Sequence, residues 1–407
     1  MNKVRIGLVG FGRRGWGALN HCASNPDAEI VAVCDKYEDR TEAAAAKTEE
    51  LTGKRPFATC DYHQLLASGI DAVIISTHWN THAEIAIEAM RLGIGAAFEV
   101  GCSYSIDECF ELVKTHERTG APCMVMSNCN FMRRELALLR MVREGLFGEV
   151  VHCDGGYCHD LRHQVANGKE LRHGRLNNYY NRSCDNYPVH PLGPISKLLD
   201  INRGNRMLTL TSMASRAAGM KQYIKDNFEP DFYLQDGEFM CGDIITTTIK
   251  CARGQTITLR LDTTLPRPYS RRFEVHGTKG LYMEDGHMIF LEGEHKDGSS
   301  EFIRNNYYNN ADAYIEKYEH PIWQKYLTEG VVGGHGGADY LVVNAFIRSI
   351  KTGAPTPLDV YDTASLVAVS TLSEQSIAMG GMPVPVPDFT NGKWVDRTPN
   401  PICEELI

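Results

Sequence analysis

The 407-residue sequence lacks any apolar run near the ~20 residues that a bilayer span requires. Its longest, such as Ala72–Ser76 and Ala96–Val100, are strand-length, so no membrane partner is expected. Basic charge is in deficit: 42 Lys and Arg against 51 Asp and Glu give a net −9 with histidine neutral. A nucleic-acid binder normally shows the opposite balance, so none is expected as a partner. The 13 cysteines, an odd number, include no Cys-x-x-Cys pair. That excludes a zinc module of ordinary spacing and argues for reduced, buried thiols in a cytoplasmic chain. No basic, apolar leader precedes the strand pattern that begins at Val4, which fits the same location. Internal repeats and low-complexity tracts are absent too.

What is present is a full globular composition, 43% hydrophobic and 23% charged, on a chain too long for one ordinary domain. Up to about residue 127, short β-branched runs (Val4–Val9, Ile30–Cys34, Ala72–Ser76, Ala96–Glu99, Met124–Ser127) alternate with helical patterns (Gly15–Ser24, Arg40–Thr52, Thr81–Leu92, Ile106–Thr119). This is the texture of a parallel sheet built from βαβ units. From residue 128 onward a helix at Glu135–Glu144 and a strand at Val150–Tyr157 lead into a loop-like stretch from Gly168 to Asn186. Alternating strands follow at Leu208–Ser212, Ile244–Lys250, Thr256–Asp262, Arg272–Gly277 and His287–Leu291, then helices at Asp339–Lys351 and Tyr361–Met379. The expected fold is α/β, with a Rossmann domain over residues 1–127 and an α+β domain over 128–407 whose large sheet is mostly antiparallel. An apolar open face on that sheet would need covering, so a homo-oligomer, dimer or tetramer, is expected.

Gly10-Phe11-Gly12-Arg13-Arg14-Gly15 follows the first strand and opens a helix, the context in which a G-x-G-x-x-G string has meaning. Gly10 permits the tight turn, Gly12 lets backbone N–H groups reach a pyrophosphate, and Gly15 lets helix and strand close up. Arg13 and Arg14 add phosphate donors. Asp35, 20 residues beyond Gly15, ends the second strand where a carboxylate meets the adenosine ribose hydroxyls, which favours NAD over NADP. Trp79, Asn80 and His82 follow the third strand, Glu99 and Val100 end the fourth, and Asn128 follows the fifth. These sit at carboxyl ends of strands, where such sheets bind ligands.

The segment His152-Cys153-Asp154 to His163 is dense in metal-ligand types. Alternation along a strand, however, puts Cys153, Gly155 and Tyr157 on one face and His152 and Asp154 on the other, so the ligands do not converge locally and no metal is expected.

With Ser76-Thr77-His78-Trp79-Asn80-Thr81-His82 and Phe98-Glu99-Val100-Gly101 in these positions, the chain resembles the Gfo/Idh/MocA family of NAD(P)-dependent sugar and polyol oxidoreductases. It departs where that family usually has Glu-Lys-Pro, whose Lys commonly assists proton transfer. Further segments resemble one branch, glycoside hydrolase family 109, the NAD-dependent α-N-acetylgalactosaminidases. They include Gly155-Gly156-Tyr157-Cys158-His159-Asp160-Leu161-Arg162, Asn186-Tyr187-Pro188-Val189-His190-Pro191-Leu192-Gly193-Pro194 and Gly334-His335-Gly336-Gly337. That branch also tends to lack the Lys, which accounts for Val100. The strings Ser127-Asn128-Cys129-Asn130-Phe131 and Arg182-Ser183-Cys184-Asp185 differ from the branch near the sugar.

The resemblance implies a carbohydrate or glycoside substrate and hydrolysis without net redox change. A hydride leaves sugar C3 for NAD+, the ketone acidifies C2–H, the aglycone is eliminated, water adds at C1, and the hydride returns. By the same resemblance His190 is the first candidate catalytic group, with Asn186 four residues before it on one helical face. Tyr187 relays or donates a proton, and His159 and His335 complete the catalytic candidates. Tyr157, Asn186, Arg162, Arg172 and Tyr269 are the candidate sugar contacts. The alternatives are a net sugar or inositol dehydrogenase with an unusual base, and a non-catalytic NAD-bound sensor.

Overall fold

The computed structural model describes residues 3–295 and 307–399. The described residues form two compact units, one of residues 3–132 and 324–368, the other of 133–295, 307–323 and 369–399. The expected boundary after residue 127 thus moves slightly, and the first unit is discontinuous. The reason is the helix Ala338–Thr352, whose apolar face (Leu341, Val342, Ala345, Phe346) is buried where the helix packs against the first helix of the chain.

In the first unit, six parallel strands, β1 (Val4–Val9), β2 (Ala28–Cys34), β3 (Phe57–Thr59), β4 (Ala72–Ile75), β5 (Gly95–Phe98) and β6 (Cys123–Val125), lie in the order β3-β2-β1-β4-β5-β6. The helices α1 (Arg13–Ser24), α2 (Glu38–Thr52), α3 (Tyr62–Leu66), α4 (His82–Arg91) and α5 (Ile106–Thr119) are the crossovers that parallel pairing demands. The order reverses at β1/β4, so their carboxyl ends frame the ligand crevice. Strand β3, with Phe57 and Ala58 exposed, has too little apolar alternation to stand out in the sequence. Ser105 starts α5 with a complete capping box, its hydroxyl accepting from the Glu108 N–H while the Glu108 carboxylate accepts from the Ser105 N–H.

The second unit is built on eight strands: β7 (Val150–Cys158), β8 (Met207–Ala214), β9 (Ile244–Cys251), β10 (Thr256–Asp262), β11 (Glu274–Gly277), β12 (Gly280–Met283), β13 (Met288–Leu291) and β14 (Val384–Pro385). Their order is β13-β12-β11-β7-β10-β9-β8-β14, antiparallel except for the β7/β10 pair. Helices α6 (Arg133–Arg143), α7 (Arg162–Ala166), α8 (Arg175–Asn181) and α9 (Val189–Leu198) precede β8. The stretch expected to be loop from Gly168 to Asn186 therefore contains a helix. Its Asn- and Tyr-rich sequence has weak intrinsic helix propensity, and the buried Arg175, Asn178 and Tyr179 on one side of α8 supply the packing that overrides it.

One face of this sheet is core, with Ile245, Ile249, Ile257, Leu259 and Val275 buried. The other is not the apolar surface expected: its middle rows carry Thr246, Thr248, Thr256, Thr258, Arg260, His152 and Asp154, half-buried to exposed. The apolar-face argument for an oligomer is thereby lost. No helix among the described residues is long and apolar enough to cross a membrane. Twelve cysteines are free thiols, all buried but Cys60; Cys403 lies outside the described residues.

Candidate functional site

The nucleotide loop of the first unit follows from three glycines with three different steric positions. Gly10 has φ +92°, and a Cβ there would lie 2.6 Å from the Ser76 carbonyl carbon. A Cβ on Gly15 would meet the Gly10 carbonyl oxygen at 1.9 Å. At Gly12 a Cβ would meet nothing within 4 Å. The first and third glycines thus let chain segments touch, whereas the second faces open space at the start of α1, where N–H groups point outward and the dipole favours an anion.

Asp35 is buried and braces this loop: Oδ2 accepts the Phe11 N–H at 2.6 Å and Oδ1 the Tyr37 N–H at 3.0 Å. Its remaining lone pairs suit ribose hydroxyls. The Phe11 N–H is spent on Asp35 and its side chain is core, against Trp16, so this residue shapes the loop from within. Arg13 is exposed. Arg14 is clamped in an ion cluster, with Nε 3.0 Å from Glu99 Oε1 and Nη1 2.9 Å from Asp339 Oδ2. Asp339 also accepts from Asn128 Nδ2 at 2.7 Å and lies 2.8 Å from His335 Nδ1. Burial opposes the Asp339 anion, but hydrogen bonds from His335 and Arg14 more than offset it and hold the carboxyl below its usual range. Burial raises Glu99, and Arg14 only partly opposes this. His335, at φ +51° in its glycine-rich turn, is thus a partner of the Asp339 cluster in the first unit.

The remaining nucleotide-side candidates divide. His82 is buried with Nε2 3.1 Å from the Thr77 carbonyl, and burial pushes its pKa down to about 4; it ties α4 to the loop after β4 as a neutral ring. Val100 is buried, Asn80 is exposed, and Trp79 lies over Gly101, where a Cβ would be 2.6 Å from Trp79 Cδ1. Around the strand ends, Ser76 Oγ, Glu99 Oε2, Ser127 Oγ and Asn128 Oδ1 are buried with no hydrogen-bond partner among the described residues. Asn130, which the sequence reading passed over, has both amide atoms in that condition. Buried polar atoms are rarely left so. Together with the open space at Gly12, they fit a polar dinucleotide.

In the second unit, Gly155 lets α9 close on β7, since a Cβ there would lie 2.7 Å from Pro191 Cβ. This brings three rings together: Tyr157 and Tyr187 at 4.3 Å between centroids, Tyr187 and His190 at 4.8 Å, and Tyr157 and His190 at 5.6 Å. His159 lies 6.0 Å from Tyr157 and 5.3 Å from the half-exposed Tyr269, extending the row. Pro194 has no N–H to donate to the His190 carbonyl four residues back, so the ladder of α9 is interrupted at this residue.

Beneath the rings is Arg175, 8% exposed, its guanidinium 4.9 Å from the Tyr187 ring and 5.8 Å from the Tyr157 ring. The sequence reading missed it and chose Arg172, which is exposed at φ +50°. Only the helical phase of α8, hidden in a stretch that reads as loop, separates the two. Arg162 is fixed by both Asp160 oxygens, at 2.9 and 2.7 Å, and lies 4.9 Å over the Tyr223 ring. Asn186 precedes α9 instead of sharing a helical face with His190. Its buried amide accepts from Cys184 Sγ at 3.1 Å and donates to Cys241 Sγ at 3.4 Å. Asp185 is buried, its pKa pushed up to about 7 by desolvation.

The fold and the nucleotide loop define a Rossmann dinucleotide-binding protein. Residues 4–127 match the oxidoreductase family with an NAD-binding Rossmann fold, and the chain binds NAD. Residues 131–396 match the C-terminal domain of glycosyl hydrolase 109. The chain belongs to glycosyl hydrolase family 109. It is 37% identical over 420 residues to an α-N-acetylgalactosaminidase of Tannerella forsythia, covering 97% of this chain and 88% of that one. It is likewise 37% identical over 409 residues to an α-N-acetylgalactosaminidase of Shewanella oneidensis, covering 98% and 88%. In fold it is similar to an inositol dehydrogenase homologue from Azotobacter vinelandii solved with NAD+, with a TM-score of 0.66 at 16% identity over 94% of this chain and 97% of that one.

Proposed function

We propose that this NAD-dependent glycosidase cleaves α-N-acetylgalactosaminides by oxidation at C3, elimination, hydration and re-reduction, with the ring cluster of the second unit moving the protons. The observation that carries the reading is that cluster: two tyrosines and a histidine in mutual contact around a buried arginine. NAD, when bound, supplies a hydride acceptor that later returns the hydride. His190 takes the O3–H proton as C3 is oxidised, and Tyr187, whose ring centroid lies 4.8 Å from that of His190, relays it. Tyr157 takes the proton from C2, and the Arg175 cation favours the negative charge that develops across C2 and C3. The C1–O bond then breaks with a proton passing to the leaving oxygen. Water adds OH to C1 and H to C2, and hydride and proton return to C3 and O3, so one water is consumed and nothing is oxidised overall. No carboxylate pair flanking the glycosidic bond is called for, unlike most glycosidases.

The test is a panel of aryl glycosides including α-N-acetylgalactosaminide, with aryl release and NADH absorbance followed together in D2O. Aryl release without NADH accumulation, and with deuterium at C2 of the product, is expected. NADH accumulating on free sugars without aryl release would mean a sugar or inositol dehydrogenase, and silence in both channels with NAD bound would mean a sensor.

A further inference from the structure

The polar face of the second unit's sheet gathers a set of ligand types that no step above uses. Alternation along β7 puts His152 and Asp154 on that face. The antiparallel register with β11 sets Glu274 opposite Asp154 and His276 opposite His152. Four side chains from segments some 120 residues apart therefore meet, and one ligand atom each from Asp154, Glu274 and His276 lies within 4.8 Å of the other two. His276 Nε2 is 3.1 Å from Glu274 Oε2 and 3.6 Å from Asp154 Oδ2, and His152 Nε2 is 2.9 Å from that same Asp154 oxygen. A tetrahedral zinc ion with its usual bonds of roughly 2.0–2.1 Å holds ligand atoms about 3.3 Å apart, in the middle of these spacings.

We infer that Asp154, Glu274 and His276, with His152 as the adjoining fourth group, form a binding site for a late first-row divalent cation, with zinc as the expected occupant. Imidazole among carboxylates selects such ions over magnesium and calcium, which prefer oxygen alone. The outer hydrogen bond that metal-binding histidines commonly carry is present: His152 Nδ1 meets Thr256 Oγ1 at 2.7 Å, leaving Nε2 towards the cluster. The four side chains are 16–37% exposed, so an ion can enter from solvent. Because the ligands stand on paired strands, binding needs only rotamer adjustments. The bound ion would staple β7 to β11 three residues before Tyr157, which makes its role structural.

The full chain with NAD bound, stripped with chelator and dialysed, is titrated with Co2+ followed by visible absorption and with Zn2+ by calorimetry. One equivalent of each, an intense tetrahedral cobalt band and a raised melting temperature with zinc are expected. Glu274→Gln and Asp154→Asn, which preserve shape but remove a ligand's charge, should each weaken zinc binding by more than the roughly tenfold that loss of an outer hydrogen bond costs, and His276→Ala should abolish the cobalt band. Cys60→Ser, at the exposed thiol, should change nothing. A cooperative melting transition of parental enthalpy reports that each variant's second unit has folded. Absence of saturable binding, or binding unchanged in the folded Glu274→Gln and His276→Ala variants, overturns the site.

Discussion

Asp185 offers a direct test of the electrostatics around the ring cluster. It is 2% exposed, its Oδ1 accepts the Tyr187 N–H at 3.3 Å, and its Oδ2 has no partner among the described residues. Desolvation moves its pKa from 3.8 to about 7 in the folded chain. Between those values the folded chain holds a proton that the unfolded chain has released, so stability falls as pH rises through that window and is level again above it. At 1.36 kcal/mol per pH unit the whole window costs on the order of 4 kcal/mol, of which about 2.7 lies above pH 5. Asp185→Asn keeps the acceptor for Tyr187 and removes the charge. Its stability relative to the parent should therefore grow by about 2.7 kcal/mol between pH 5 and pH 8, which for a unit of this size is roughly 5–10 °C in Tm. Scanning calorimetry of both proteins, with NAD saturating, measures the difference at each pH and cancels every other titrating group. A gap that stays within about 0.5 kcal/mol across that range would show that Asp185 is ionised in the fold and that its burial is relieved by water.

The glycines make a paired prediction. Gly12→Ala should weaken NAD binding at least about tenfold with little change in Tm, because its Cβ faces only the space given to the pyrophosphate, whereas Gly10→Ala should destabilise the chain by about 1–3 kcal/mol or more through φ +92° and contact with Ser76. Equilibrium NAD titration and melting curves separate the two, and equal effects on both would contradict the steric reading. His190→Ala should lower kcat by roughly 10²–10⁴-fold while NAD stays bound, and near-native turnover would remove it from the mechanism. Arg175→Lys keeps the charge but loses the planar stack on Tyr157 and Tyr187. A fall of about tenfold or more in kcat/KM is expected, with NAD affinity unchanged, and unchanged steady-state kinetics would assign Arg175 to packing alone.

The Rossmann half was legible because its signals are local: β-branched runs of strand length, a glycine string directly after β1, and a capping serine before α5. What was not legible there is pairing with distant partners. The glycine string shows Arg14 beside the phosphate loop, but not that Asp339, 325 residues on, pairs with it. Nor does the sequence show that the His82 ring bonds to the Thr77 carbonyl. In the second half the strands showed through their alternation, but the helix that buries Arg175 did not, since Asn and Tyr carry little helical preference and tertiary packing decides. The same limit hid the meeting of Asp154 with Glu274, because register between strands far apart in sequence is not written in either one.

The buried Val100, where the wider family's Lys would stand, ties these observations to the chemistry. A net dehydrogenase moves one proton, from the hydroxyl being oxidised, and a single amine suffices. Redox-neutral cleavage must move protons at O3, at C2 and at the leaving oxygen, and must return the first two with the correct geometry. One lysine cannot serve three positions on a rigid sugar ring, because useful proton transfer needs hydrogen-bond reach at each atom. A contiguous row of rings can: Tyr157, Tyr187 and His190 lie within 5.6 Å of one another, with His159 next along it. Under the proposed mechanism the missing amine is therefore a consequence of where the work is done. On that proposal the proton carriers are the rings of the second unit, and the buried Val100 of the first contributes none.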